Sequence, residues 1–167
     1  MEDAARRGER GESVSTWLGR TTPPPGAAWD AAQRTQTQEE QRRADSWARS
    51  RGRFTRNFVV QGTAAEWAEC WLAGIRSRLH ALGAAAPEAQ ESDTGTAGSS
   101  SWPITGPAEL VFFLHDEIMV HAPEELIPDC VEAVESAARD AGRLLFGTAP
   151  VDFPLTVAVV DSYDQAK

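Results

Sequence analysis

Within ELVFFLHDEIMVHAPEEL, residues 109–126, an apolar run stops for His115, Asp116 and Glu117 and then resumes. An ionised carboxylate buried without a partner either costs several kcal/mol or gives up its charge. The apolar stretches at residues 110–114 and 118–122 are β-prone and closely spaced, so the pattern predicts a hairpin with the acids at its turn. There the strands can be buried while the tip is not. Such a tip suits a hard cation: Mg²⁺ takes oxygen ligands and usually only one or two protein carboxylates. Neighbouring side chains on a strand point to opposite faces. Asp116 is therefore the expected direct ligand and Glu117 its outer partner. Acids are also common in solvated turns, and residue chemistry alone leaves that reading open beside the metal.

The elements around this tip follow from periodicity. Residues 23–29, PPPGAAW, read as a loop, because consecutive prolines cannot sit inside a helix. The stretch from Ala31 to Phe54 is rich in Ala, Gln, Glu and Arg and predicts one or two helices exposed on most faces. Thr63 followed by Glu66 has the spacing of a capping box. Trp67, Trp71, Ile75, Leu79 and Leu82 then form one apolar stripe, so a helix is expected over residues 64–82, stopped by Gly83. Its tryptophans read as core. Residues 84–106 are small and polar without periodicity and read as a surface loop. Pro128 suits the first turn of a following helix. That helix turns Val131, Val134, Ala138, Ala141 and Leu145 inward and ends at Gly147. Residues 155–160 predict a last strand. The first hairpin strand is apolar on both faces and reads as central in its sheet. The expected class is α+β, an antiparallel sheet covered on one face by helices.

The chain has 167 residues and a net charge of −9, which argues against a generic nucleic-acid binder. The charge is unevenly spread. Residues 1–57 carry 11 Arg against 8 acids, and residues 58–167 carry 5 Lys or Arg against 17 acids. Most of those acids read as solvated surface, although an acidic half could hold a metal while an arginine-rich one holds something anionic. Cys70 and Cys130 lie in no ligand spacing and read as buried thiols of a reducing compartment rather than a disulfide. No apolar run nears the roughly 20 residues that span a bilayer, and MEDAARRGER lacks the apolar core of a secretory signal.

LVFFLHDEIMVHAPEE resembles motif C of family A DNA polymerases, the polymerase I type: strand, His-Asp-Glu, strand, then a Pro-Glu helix entry. RFTRNFVVQGTAAEW is similar to that family's Arg-x-x-x-Asn-x-x-x-Gln-Gly-Thr-Ala-Ala-Asp segment, with Glu66 in place of the last Asp. VSTWLGR resembles its Val-x-Thr-x-x-Gly-Arg, and PLTVAVVDSYDQAK its C-terminal end. RNFVVQGTAAEWA also resembles the branch fused to a 3′–5′ exonuclease domain. The resemblance implies template-directed DNA synthesis in replication or repair, by two-Mg²⁺ nucleotidyl transfer. Its partners would be primer–template DNA and deoxynucleoside triphosphates, and its setting the cytoplasm, at the nucleoid, with no membrane. It makes Asp116 the metal-binding catalytic aspartate and Glu117 its assisting neighbour. It also makes His115 and Gln61 contacts to the primer end, and Arg53 and Asn57 contacts to the template strand. Arg53, Asn57 and Gln61 are four apart, so they share a face if the segment is helical. Such donors reach the minor-groove acceptors common to all base pairs.

The family also needs a second aspartate on an earlier strand and a nucleotide-holding helix with Arg, Lys and Tyr. Both belong before VSTWLGR, and the 13 residues preceding Val14 contain neither. The expectation is a C-terminal piece of such a polymerase, inactive alone and lacking its upstream portion. Residues 1–57 would be the helical end of the fingers and residues 58–167 the end of the palm. The alternative is a non-catalytic remnant or DNA-binding module. Lengthening a loop costs only about 0.6 kcal/mol per doubling. Replacing the low-complexity stretch by a short Gly-Ser turn is therefore expected to leave the thermal unfolding midpoint nearly unchanged. A large drop would show that the stretch packs.

Overall fold

A computed structural model describes residues 1–85 and 107–166. The described chain is mixed α and β, mostly helical, with one two-stranded antiparallel sheet. It divides into two compact units, Met1–Trp67 and Ala68–Lys167. The division falls beyond the 57/58 boundary expected between fingers and palm.

The first unit holds α1 (Glu2–Glu9), α2 (Ala27–Ala32) and the first part of a long α3 (Gln38–Ala85). The α2 helix starts inside the stretch read as a loop, two residues past the last proline, where nothing forbids helical φ and ψ. The true capping box is at the start of α3. The Glu40 N–H donates to Thr37 Oγ1 at 3.2 Å, and the Thr37 N–H donates to Glu40 Oε2 at 2.9 Å. The backbone N–H groups of Gln36 and Thr37 hold the Glu40 carboxyl below its ordinary range. No proline interrupts residues 38–85, so the helix runs straight through Thr63 and Glu66. The expected start at residue 64 is therefore wrong. The helix also continues past Gly83, so Gly83 is not its stop. The expected loop at 84 begins as helix through Ala85, and the rest of it lies outside the described residues.

What Thr63 and Glu66 hold instead is the VSTWLGR segment. Residues 14–22 close into a tight loop around a bridge between Ser15 and Thr21. The Thr22 N–H donates to the Val14 carbonyl at 2.9 Å, and the Thr16 N–H to the Arg20 carbonyl at 2.8 Å. Glu66, 3% exposed, accepts from the Thr16 hydroxyl and from the Leu18 N–H at 3.0 Å. Thr63 Oγ1 accepts from the Trp17 N–H at 3.1 Å. A Cβ at Gly62 would collide with Thr16, so the loop sits here only because the helix has no side chain at that place. On another face, buried Thr55 donates to the Ala4 carbonyl of α1 at 2.8 Å.

The second unit contains the last turns of α3, a hairpin of β1 (Glu109–Leu114) and β2 (Glu117–His121), and α4 (Ile127–Phe146). The tryptophan stripe is core as expected: Trp71, Ile75 and Leu79 are buried, facing an alanine-rich side of α4. The Trp71 indole N–H donates to the Val134 carbonyl at 3.0 Å, and Arg78 pairs with Asp140 at 2.5 Å. Pro128 lies in the first turn of α4 and Gly147 (φ 58°) caps its end, both as predicted. Both cysteines are free, Cys130 buried and Cys70 only half-buried. Burial pushes the Cys130 thiol upward, helped by the nearby Asp129 charge. The expected strand at residues 155–160 does not form: the segment is irregular, with Val157 and Val159 exposed. A strand needs a hydrogen-bonded neighbour, and this segment pairs with neither edge of the described sheet. For the same reason β1 is not central; it pairs with β2 alone.

Substituting Thr16→Val removes the hydroxyl that shares buried Glu66. A hydrogen bond to a charged group contributes about 1.5–3 kcal/mol. Chemical denaturation is expected to show a loss of about 2 kcal/mol, and Thr16→Ser is expected to restore most of it. An unchanged midpoint for Thr16→Val would contradict the role given to this contact.

Candidate functional site

The antiparallel register pairs Leu114 with Glu117, leaving His115 and Asp116 as a two-residue loop. Short hairpin loops need positive φ to match the strand twist. His115 supplies it, at φ 56°. That region is cheap for glycine and costs other residues about 1 kcal/mol or more. The chain places a strained imidazole at the tip where glycine would be easier. His115, Asp116 and Glu117 are all exposed. The register slips between Leu110 and Phe112, a bulge that leaves Val111 unpaired and half exposed.

The two acids are not equivalent. Glu117 opens β2, and its Oε2 accepts the Tyr163 hydroxyl at 3.0 Å. The Tyr163 ring also lies 6.2 Å from Phe112 of β1. Asp116 projects from the tip with no protein group tied to it among the described residues. Sequence reasoning missed Tyr163. The available signal was that it is the only tyrosine in the chain.

In the first unit, Arg53, Asn57 and Gln61 all lie on α3 and are exposed. Their four-residue spacing places them on one face, as expected. Arg53 donates to Ser50 Oγ at 3.0 Å, which steadies its guanidinium on the helix surface. His115 belongs to the second unit and Gln61 to the first.

The Mg²⁺ implied by the polymerase resemblance can be tested against these donors. Among the described residues no group of three or more His, Cys, Asp or Glu side chains gathers. Asp116 fits as a single carboxylate ligand of the kind Mg²⁺ accepts alongside water and phosphate oxygens. Glu117 is turned toward a phenol. This donor set does not fit a two-ion centre by itself. No described helix is long and apolar enough to cross a membrane. No family model, curated protein or solved structure matches the chain.

The Tyr163–Glu117 contact carries a pH signature. Its hydrogen bond to Glu117, and then the Glu117 charge, push the phenol above its ordinary value near 10. A raised folded-state pKa adds stability that is present below the unfolded value and is lost as pH rises through the folded one. Because the tyrosine is unique, its phenolate absorbance reports this contact alone. The titration of wild type is expected to lie above that of Glu117→Gln. Coincident curves would show that the contact does not persist in solution.

Proposed function

We propose that the chain is the C-terminal, motif C-bearing part of a family A DNA polymerase, acting in template-directed DNA synthesis. What carries the reading is the hairpin tip: an antiparallel pair closed by His115 and Asp116, with the aspartate projecting and its acidic neighbour held aside.

Two further observations support it. Apolar residues of β1 and of residues 155–160 stand exposed where a larger sheet would cover them: Phe113, Leu114, Val157 and Val159 are each 43–59% exposed. Exposed apolar strand edges are normally paired or blunted, and the remainder of a palm would do so here. The segments that carry the family resemblance also hold one another, since QGTAAE and VSTWLGR meet through Gly62, Thr63 and Glu66. In this reading Arg53 and Asn57 contact the template strand, and Gln61 and His115 the primer end. Asp116 contributes one carboxylate to the Mg²⁺ site, and other ligands come from outside the described residues. Bound Mg²⁺ supplies charge stabilisation at the transferred phosphoryl group. The role of Glu117 is to support Asp116, and Tyr163 fixes where its carboxylate points.

The test is primer extension with Mg²⁺ and all four nucleotides. The purified chain is assayed alone and mixed with a polypeptide supplying the upstream fingers and palm of a family A polymerase. No extension is expected from the chain alone. The mixture is expected to extend, falling to background with Asp116→Ala and by at least about tenfold with Gln61→Ala, the loss of about one transition-state hydrogen bond. Extension that is indifferent to Asp116→Ala overturns the proposal. A mixture that binds primer–template but never extends it favours a non-catalytic DNA-binding module.

A further inference from the structure

We propose that Tyr163 sets how many carboxylates the hairpin tip offers a divalent cation. While its hydroxyl holds Glu117, the tip offers Asp116 alone. When that hydrogen bond opens, Glu117 becomes a second ligand. The inference rests on the reading of Asp116 as a cation ligand. It makes Tyr163 a positioning residue, one that acts through Glu117 without touching the ion.

The strand register places the side chains. Leu114 lies opposite Glu117, and Phe112 opposite Met119. Directly opposed residues share a face of the sheet, as do residues two apart along a strand, so Phe112 and Glu117 lie on one face. Tyr163 touches both, with its ring 6.2 Å from Phe112 and its hydroxyl donating to Glu117 Oε2 at 3.0 Å. The ring therefore lies across that face, and the hydroxyl reaches along it toward the tip. The backbone that carries the ring is itself held. The Gln165 N–H donates to the Ser162 carbonyl and the Ala166 N–H to the Tyr163 carbonyl, each at 3.1 Å, which closes a short helical turn over Tyr163–Gln165. The Ser162 hydroxyl donates to Asp164 across the same turn.

Glu117 has the reach to change partners. Consecutive Cα atoms are about 3.8 Å apart, and glutamate has one more rotatable bond than aspartate, so its carboxylate can swing from the sheet face to the tip. Where it rests is a competition. Among the described residues the Tyr163 hydroxyl is the one group hydrogen-bonded to Glu117. That bond joins a neutral donor to a charged acceptor, which is stronger than a neutral pair. A cation already on Asp116 offers a full positive charge instead. Tyr163 is 52% exposed, so water and ions reach the contact and the glutamate is not sealed in place. The contact is therefore an exchangeable hold rather than a buried clamp of the kind Glu66 makes.

The experiment titrates the full chain with Mn²⁺, without DNA or nucleotide, and follows paramagnetic broadening of the His115 imidazole signals by NMR. His115 adjoins Asp116, so its signals report a cation at the tip rather than at the chain's other acids. Tyr163→Phe keeps an aromatic ring for Phe112 and removes only the hydroxyl. It is expected to lower the Mn²⁺ midpoint about fivefold, the size of one ordinary hydrogen bond that no longer competes. Glu117→Gln is made in both backgrounds and is expected to weaken binding about fivefold more in Tyr163→Phe than in wild type. A merely structural role of the tyrosine would leave the effect of Glu117→Gln the same in both. Equal effects therefore overturn the proposal, as does an unchanged midpoint in Tyr163→Phe, or a tip that broadens in neither protein. Asp116→Ala tells the two levels apart. If it abolishes the broadening while the Tyr163 and Glu117 effects are independent, only the role of Tyr163 falls. A midpoint indifferent to Asp116→Ala overturns the reading of Asp116 as well.

Discussion

A buried carboxylate has to be paired, and in the first unit that constraint falls on Glu66. Nothing hydrophobic could replace what it does, because its partners are a hydroxyl and a backbone N–H of a loop with no regular structure of its own. Loops of this kind stay at the surface because their backbone groups must be hydrogen-bonded. Residues 14–22 are satisfied internally by the Ser15–Thr21 bridge and externally by Glu66 and Thr63. If the loop were released, the carboxylate would be left unpaired and the helix face bare around Gly62. The closely packed glycine, the threonine and the glutamate therefore act as one device, and all three lie within the short segment QGTAAE. Local residue chemistry here serves a tertiary contact.

The second unit has a different limitation. Its helical part is well covered: the small residues of α4 let Trp71, Ile75 and Leu79 approach closely, and Trp71 finds a carbonyl for its indole N–H. Its sheet is not. Two strands bury one edge each, and a lone hairpin is marginal in water. The described contacts that steady this one come from the chain's last residues. Tyr163 packs on Phe112 and bonds Glu117, and upstream Phe153 stacks on Phe146 of α4 at 5.6 Å. The C-terminal stretch thus supports the hairpin through side chains rather than as a third strand.

This contrast explains what could be read from the sequence. The hairpin, the α4 boundaries and the tryptophan stripe were legible because each is set by local punctuation: the His-Asp tip, Pro128 and Gly147, and a helical repeat. The start of α3 was misread because Thr63 and Glu66 mimic a cap that Thr37 and Glu40 make. Both pairs have the same spacing, and only tertiary context separates an exposed cap from a buried clamp. Residues 155–160 were misread because apolar, β-branched sequence reports a preference for strand, whereas forming one depends on a neighbour elsewhere. At the candidate site, the exposure of Asp116 and the shared face of Arg53, Asn57 and Gln61 followed from spacing. Tyr163 did not, since a long-range hydrogen bond leaves no periodic trace.

The tip itself shows how two adjacent identical charges become different groups. Strand alternation alone would send Asp116 and Glu117 to opposite sides, but at a two-residue turn alternation is already broken. The Tyr163 hydroxyl supplies a second cause. By accepting that hydrogen bond, the Glu117 carboxylate is given a fixed direction and part of its charge is satisfied, while Asp116 keeps all its acceptor capacity facing outward. The strained His115 adds a third, because its positive φ fixes the angle at which the aspartate leaves the hairpin. A lone carboxylate in water attracts a divalent cation only weakly, since the high dielectric of water weakens the attraction and Mg²⁺ gives up its hydration shell reluctantly. A fixed direction does not change that attraction. The turn fixes the backbone from which Asp116 leaves, but no described protein group holds its carboxylate, so its rotamer is set only when further oxygens arrive from phosphate or from another carboxylate. Asp116 is thus an available but unrestrained ligand at the tip of a two-stranded sheet, and its affinity depends on the groups that join it.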